Sequence, residues 1–561
     1  MSAAGLTAAQ ARRWITRAVE VLEEHRPALD TLNVLPVPDA DTGSNLHLTF
    51  RDAAAAADAA HASTDDGVQV LAALTRGVLV GARGSSGVIV GQYVAALLDQ
   101  MADGGGVGAT AQALAAAARA ARSAVAEPLE GTVLTIADVI ARHAADLAAS
   151  GRAASTGETL GAAVAAGVCA LPGTRETQPV LRAAGVPDAG AWGLLLVLGV
   201  LVTTVAEAEG LELAVDVPIP SGVPRPGALD QGVLPGGEFE VMFLEESVQA
   251  GGVEPPAAAG ELRAALSALG DSVALVTADG VWQAHVHTDH PVDVLALPVA
   301  RGRRRHQTSV RHLVQQTAVH GERRPPLGLV AVTRAPGLVA DLARAGAVVL
   351  VERDDRALTA EAVGRAVADT GAAEVLVLGA GELPDLAGLP DLAVPSPPGP
   401  PGPPGVPGVP GVQGVPGVRA HVRPGVREGG LVAAAAALLE ASGVAPSVPR
   451  PAAGTVLLAV DRALGALHLV EVELPADHAS WAAVVVETVV SGGRTEPALV
   501  RVLLPVDSSD GGLAERVSTL VLERGGPATD VVVLHLGAPS ETPGPRAAID
   551  AQVTVEPELV L

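Results

Sequence analysis

Residues 33–45 read Asn33-Val34-Leu35-Pro36-Val37-Pro38-Asp39-Ala40-Asp41-Thr42-Gly43-Ser44-Asn45. Two prolines stiffen the loop, and two carboxylates follow one residue apart. Such a pair suits a hard cation, because Mg²⁺ takes a few carboxylates and fills its other positions with water and phosphate oxygens. A plainer reading stands beside it, with Asp41 as a helix N-cap and Asp39 as a turn residue. The stretch also divides two helical patterns, and that position decides the fold. Before it, Thr7 and Gln10 have the spacing of a capping box, and Ala11, Trp14, Ile15, Ala18 and Leu22 recur at helical spacing. After it, alanine-rich helical stretches are expected at 44–60, 67–80, 86–102, 108–124, 132–149, 157–170 and 190–208, with Gly-, Pro- and Asp-bearing turns between them. An all-α bundle or helical barrel is therefore expected over residues 1–208.

The pattern changes further on. Residues 209–236 include the run PIPSGVPRPG and read as a linker. Glu238–Leu244 alternates as a strand, Ala258–Leu269 has helical spacing, and Ser272–Thr277 and Val281–Thr288 read as strands. An α+β middle domain over 237–325 follows. From 326 to 561 the runs LGLVAVT, AVVLVE, EVLVLGA, TVLLAV, LVRVLL and DVVVLHL imply an α/β region. Within 395–418 glycine falls at every third position, too briefly for a collagen triple helix, so this is a flexible or polyproline-like insertion. A chain of 561 residues accommodates this multidomain division.

Composition narrows the chemistry. The chain has 62 acidic against 37 basic residues, a net charge of −25, which argues against a nucleic-acid partner. All the basic residues are arginine. Without lysine there is neither a Walker-A loop nor Schiff-base chemistry. Any bound nucleotide must be held by metal, main-chain N–H groups and arginine. The single cysteine, Cys169, excludes an intramolecular disulfide and a Cys-rich zinc site, and its alanine-rich setting suggests core packing. Residues 1–14 lack a signal-peptide pattern, and the apolar run 193–206 is too short to span a bilayer. A soluble cytoplasmic protein is expected.

Three further motifs open helices. Gly81-Ala82-Arg83-Gly84-Ser85-Ser86-Gly87 precedes an apolar helix and presents N–H groups suited to phosphate, or is an ordinary helix–helix turn. Glu130-Gly131-Thr132-Val133-Leu134-Thr135 and Asp188-Ala189-Gly190-Ala191-Trp192-Gly193 open two more helices. In a barrel of alternating helices all four motifs would converge on one end.

These motifs, in this order, resemble the DhaL (DAK2) nucleotide-binding domain of dihydroxyacetone kinases. The wording NVLPVPDADTGSN, GARGSSGVI, EGTVLT and DAGAWG is nearer to the ATP-binding subunit of fatty acid kinases. The likeness is specific over about 1–206, moderate over 235–320 and weak beyond 327. It implies ATP and Mg²⁺ as cofactors, with Asp39 and Asp41 as metal ligands. Where DhaL proteins carry a third, upstream aspartate, this chain has apolar residues or Asn33, the candidate third ligand. The resemblance places Thr42, Gly43, Ser44 and Asn45 at the phosphates, with Arg83, Gly84, Ser85, Ser86 and Gly87 donating to phosphate oxygens. It puts Thr132 near the nucleotide and Asp188 to Gly190 beside adenine or ribose.

In the middle domain, His285-Val286-His287-Thr288 puts two imidazoles on one strand face, as joint metal ligands or as exposed polar residues. The fatty acid kinase branch associates this motif with zinc and an earlier cysteine. The matching position here is Glu240, and a His₂Glu set also binds zinc. The cluster Arg301-Gly302-Arg303-Arg304-Arg305-His306 reads as a solvated loop or as a docking patch for an acidic partner.

A hydroxyl acceptor of phosphate needs a base, whereas a carboxylate is already ionised at neutral pH. The four motifs contain no evident base, which favours an acyl phosphate product. The resemblance implies a fatty-acid-binding, DegV-like partner protein that presents the acyl chain, and it leaves room for a homodimer. A glycerone-type kinase and an inactive nucleotide-binding scaffold are the alternatives.

Overall fold

Helix α1, Ala8–Leu32, begins at the expected capping box: Gln10 N donates to Thr7 Oγ1 at 3.3 Å, and Thr7 N donates to Gln10 Oε1 at 2.7 Å. The computed structural model describes residues 5–35, 38–220, 224, 237–248, 256–278, 280–313, 327–352, 358–379, 382–386 and 418–423, four later strands and scattered single positions. The described residues form two compact units.

The first unit holds most of residues 1–290 and 297–305. Nine helices follow α1: α2 Thr42–Ser63, α3 Gly67–Val80, α4 Gly84–Ala102, α5 Val107–Ala124, α6 Val133–Ser150, α7 Thr156–Ala170, α8 Pro172–Thr177, α9 Pro179–Ala184 and α10 Ala189–Glu209. Alanine-rich faces let them pack closely, and a few large side chains anchor the core. Trp14, Phe50, Tyr93 and Trp192 are all buried, and Trp14 donates its indole N–H to Val197 O at 2.8 Å. Burial of such aromatics contributes more per residue than any other core member here. Helix α10 is the one described helix long and apolar enough to cross a membrane, and 89% of its apolar window is buried in the unit.

Three features depart from the sequence reading. Helices α8 and α9 fall in a stretch read as turns. Each has proline at its first position, pre-set for a helical start, but is too short to display a period. Cys169 is exposed rather than packed in the core. The buried stripe of α7 runs through Leu160, Ala163, Val164 and Gly167, and two residues beyond Gly167 the helix has turned to solvent. Finally, residues 211–217 of the expected linker lie on the helices, with Leu213, Val215 and Val217 partly buried against their core.

The same unit contains β1 Phe239–Ser247, α11 Pro256–Leu269, β2 Asp271–Ala278 and β3 Val281–Thr288, matching the expected strands closely. The strands are antiparallel in the order β2-β3-β1, with Glu240 opposite His287 and Met242 opposite His285. Met242, Ala274 and Val276 share an apolar cluster with Leu79, Ala82, Val88, Ala95 and Ala124 of the helices.

Strand β4, Arg303–His312, has residues 303–305 in the first unit and the rest in the second. The second unit also holds α12 Pro291–Ala296, β5 Gly328–Thr333, α13 Val339–Arg344, β6 Ala347–Val351, α14 Ala360–Asp369, β7 Glu374–Gly379, β8 Leu392–Ala393 and β9 Val418–Arg423. Strands β6-β5-β7-β9 run parallel in that order around a Val- and Leu-rich core, the α/β pattern expected from LGLVAVT, AVVLVE and EVLVLGA. A separate four-stranded sheet has the order β10-β13-β11-β12, with β10 His468–Leu474, β11 Leu499–Leu504, β12 Asp530–His535 and β13 Ile549–Glu556. Nearly all of the Gly-Pro insertion at 395–418 and of the run TVLLAV lies outside the described residues.

Candidate active site

The loop from α1 to α2 turns through Ala40, whose φ of 55° is left-handed. An L-residue with a Cβ visits that region at a cost of about 1–2 kcal/mol. The turn directs Asp39 and Asp41 into one small cleft of about 290 Å³, lined by Asn33, Leu35, Asp39, Asp41, Thr42, Asn45, Gly84, Ser85, Ser86, Glu240 and His287. All belong to the first unit.

Asp41 occupies the N-cap position of α2, yet its side chain makes no capping bond. The cap comes from α1: Asp30 Oδ1 accepts from Ser44 N at 2.9 Å, and Oδ2 accepts from Ser44 Oγ at 2.9 Å. Asp39 is 7% and Asp41 4% exposed. Burial, then the adjacent charge of Asp41, push the Asp39 carboxyl well above the usual carboxylate range. Two buried carboxylates in mutual repulsion form a place that a cation would stabilise. Asn33 Nδ2 lies 2.5 Å from Asp39 Oδ1 and 3.5 Å from Asp41 Oδ1. Rotating that amide by half a turn presents its carbonyl oxygen to the same space. Asn33, Asp39 and Asp41 thus fit a Mg²⁺ site.

The second wall is the start of α4. Gly84 has φ +56°, and a Cβ there would meet Asn45 Nδ2 at 2.2 Å, so glycine is required where α2 and α4 approach. Thr49 Oγ1 accepts from Arg83 N at 3.0 Å and donates to Asn45 O at 2.6 Å, fastening the two helices. Thr42 and Ser86 face each other, their hydroxyl oxygens 3.4 Å apart. The early N–H groups of α4 open the helix here, a favourable place for phosphate oxygens.

The third wall comes from β1 and β3. Glu240 Oε1 lies 3.3 Å from His285 Nδ1, and the rings of His285 and His287 are 4.8 Å apart between centroids. One ligand atom from each of Glu240, His285 and His287 falls within 4.8 Å of the others. The three are buried, which removes the reading of two exposed polar histidines. His285 Nε2 has no hydrogen-bond partner among the described residues. Two imidazoles and a carboxylate in this arrangement fit a zinc ion. The sequence kept this set apart from Asp39 and Asp41, whereas the fold places Glu240 and His287 on their cleft.

Several other expected residues lie elsewhere. Gly43 is pressed against α1, where a Cβ would meet Arg26 O at 2.4 Å, and Ser44 is turned toward Asp30. The Arg83 guanidinium pairs with Asp52 at 2.9 Å and donates to Gly81 O, away from the cleft lining. Gly87 packs on Thr49. Thr132 caps α6 through Leu134 N at 3.3 Å. Asp188 caps α10 through Ala191 N at 2.7 Å and also accepts from Val133 N, so the third and fourth motifs meet each other. Burial raises Asp188 to about 6, against these two bonds. Gly190 sits beside Val133, and Trp192 packs edge-on against His25 at 5.6 Å.

The arginine-rich cluster is not a solvated loop throughout. Arg305 is buried against Glu245 at 2.7 Å and stacks on Phe243, while Arg303 covers the Trp282 ring. Arg301 and Arg304 remain exposed.

Residues 36–203 match the family model of the DAK2 domain. The chain carries a DAK2 domain. Residues 237–319 match the FakA-like middle domain of fatty acid kinases, so the DAK2 domain contributes two walls of the cleft and this segment the third. The chain is 31% identical over 360 residues to Protein YloV of Bacillus subtilis, covering 60% of this chain and 63% of that one. It is 30% identical over 290 residues to an uncharacterized protein of Staphylococcus saprophyticus and 28% over 286 residues to one of Staphylococcus epidermidis, in each case over 50% of both chains. The chain thus spans between half and 63% of the length of these relatives.

Proposed function

We propose that this protein is the ATP-binding subunit of a kinase that transfers phosphate, with Mg²⁺, to a fatty acid carboxylate held by a fatty-acid-binding partner. The observation that carries the reading is the meeting of Asn33, Asp39 and Asp41 with Ser85 and Ser86 in one cleft. Asn33, Asp39 and Asp41 would hold Mg²⁺, which when bound neutralises phosphate charge as it builds. Thr42, Ser85, Ser86 and the first N–H groups of α4 orient the phosphate oxygens by hydrogen bonds. The depth of the carboxylates excludes bulk water and strengthens these contacts. The acceptor and its carrier follow from the likeness to FakA-like fatty acid kinase proteins.

One observation favours a second reading. Glu240 and His287 line the cleft, and an imidazole free of metal there supplies the base that a hydroxyl acceptor such as dihydroxyacetone requires. Zinc held by Glu240, His285 and His287 would withdraw that base and return the preference to a carboxylate.

The test is ATP turnover by the whole chain with Mg²⁺, offering fatty acid with a fatty-acid-binding carrier beside dihydroxyacetone. Acyl-dependent turnover that disappears in Asp39→Ala and Asp41→Ala is the expected result. Turnover on dihydroxyacetone alone selects the second reading. ATP binding without turnover on either acceptor rejects both.

A further inference from the structure

Asp30 stands outside every motif that the sequence singles out, in the last turn of α1. Its side chain is buried, and both carboxylate oxygens are engaged by Ser44 through the two 2.9 Å bonds. Ser44 is the third residue of α2, so its N–H is one that an N-cap side chain normally satisfies. The N-cap residue is Asp41, which does not satisfy it. We infer that Asp30 is a positioning residue for the phosphate site: by capping α2 from a neighbouring helix, it relieves Asp41 of capping and leaves that carboxylate directed at the cleft with Asp39 and Asn33. This inference rests on the Mg²⁺–ATP reading above.

The geometry makes the exchange specific. Asp41 already occupies the position from which aspartates cap helices. Helices α1 and α2 touch at Gly43, so Asp30 is held within reach of the first turn of α2. Without the Asp30 carboxylate, a buried N–H loses its acceptor, and Asp41 is the side chain placed to replace it. The helix is then capped as helices ordinarily are, at the expense of the cation.

Metal affinity therefore separates this role from plain stabilisation. The experiment is calorimetric titration of the whole chain with ATP, in Mg²⁺ and in EDTA, for Asp30→Ala, Asp30→Asn and Asp41→Ala. In Asp30→Ala, binding with Mg²⁺ is expected to weaken about tenfold or more while binding in EDTA changes little. Asp30→Asn keeps a carbonyl acceptor for Ser44 N and is expected to stay within about threefold of the unchanged chain. Unaltered binding in Asp30→Ala, or equal loss with and without Mg²⁺, overturns the inference while loss in Asp41→Ala preserves the underlying reading. If Asp41→Ala binds ATP with Mg²⁺ undiminished, the underlying reading fails instead. Should Asp30→Ala not fold, Ser44→Ala removes one of the two bonds. About threefold weakening with Mg²⁺ only is then expected, and no change overturns the inference.

Discussion

Gln283, on β3, donates from its side-chain Nε2 to the main-chain carbonyl of Ala82 at 2.8 Å. Both residues are buried, and Ala82 lies two residues before the glycine that opens α4. Gln283, His285 and His287 alternate along one strand face, so the strand that reaches the Asp39 cleft with His287 also fastens its phosphate-facing turn with Gln283. Gln283→Leu would leave the Ala82 carbonyl buried without this donor, a loss of about 1–3 kcal/mol. Lower stability in urea, together with faster hydrogen exchange at Gly84 to Gly87, is the expected outcome. Unchanged exchange there would show that the turn does not depend on the strand.

A second prediction concerns Gly84. Alanine there must adopt φ near +56° and place its Cβ against the Asn45 amide. The backbone alone costs about 1–2 kcal/mol. Gly84→Ala is expected to lower the melting temperature and to weaken ATP binding, because Asn45 must leave the cleft wall. A melting temperature equal to that of the unchanged chain would contradict the close approach.

Much of this was legible in advance, and the part that was not has a physical cause. Helical spacing in the first 200 residues and alternation in β1 and β3 are local signals, so those elements stand close to where the sequence put them. Asp39, Asp41, Ser85 and Ser86 were marked by composition and spacing. The meeting of Glu240 and His287 with Asp39 was not, because it depends on how β1 and β3 pack on α3 to α5, through pairs some 200 residues apart. Asp30 carries no local signature, since its partner is set by the crossing of α1 and α2. Arg83 misled because an arginine beside a Gly-Ser turn looks free to bind phosphate, and only the fold reveals Asp52 beside it.

The buried cap of α10 gives a pH prediction. Asp188 is raised from about 3.8 to about 6 by burial. Between these values the folded chain binds more protons than the unfolded one, so this residue's contribution to stability falls as pH rises, and the full penalty applies above about pH 6. The gap corresponds to about 3 kcal/mol. Asp188→Asn keeps an acceptor for Ala191 N and Val133 N without the charge. It is expected to melt higher than the unchanged chain at pH 7.5, with the advantage shrinking toward pH 4. An advantage that grows toward pH 4 would reverse the assigned sign.

The zinc set can be tested apart from ATP. Competition with a chromogenic chelator is expected to find one Zn²⁺ per chain. Glu240→Gln and His287→Ala should each weaken it by at least about tenfold, since each removes one of three protein ligands. Undiminished affinity in both variants would exclude this ligand set.

Ala40 brings the cost of the site into view. Its left-handed φ of 55° separates the two carboxylates and turns both inward, and nothing in its methyl group favours that conformation. Glycine adopts it freely but adds freedom to the unfolded chain, so the two effects oppose each other, at about 1–2 and 0.5–1 kcal/mol. Ala40→Gly is thus expected to be neutral or up to about 1 kcal/mol stabilising, with Mg²⁺-dependent ATP binding retained. Valine, branched at Cβ, resists φ > 0 most strongly. Ala40→Val is expected to lose Mg²⁺-dependent binding even where the helices remain folded by circular dichroism. If valine is tolerated with full binding, the carboxylates do not depend on this turn, and the strain at Ala40 has no part in holding the cation.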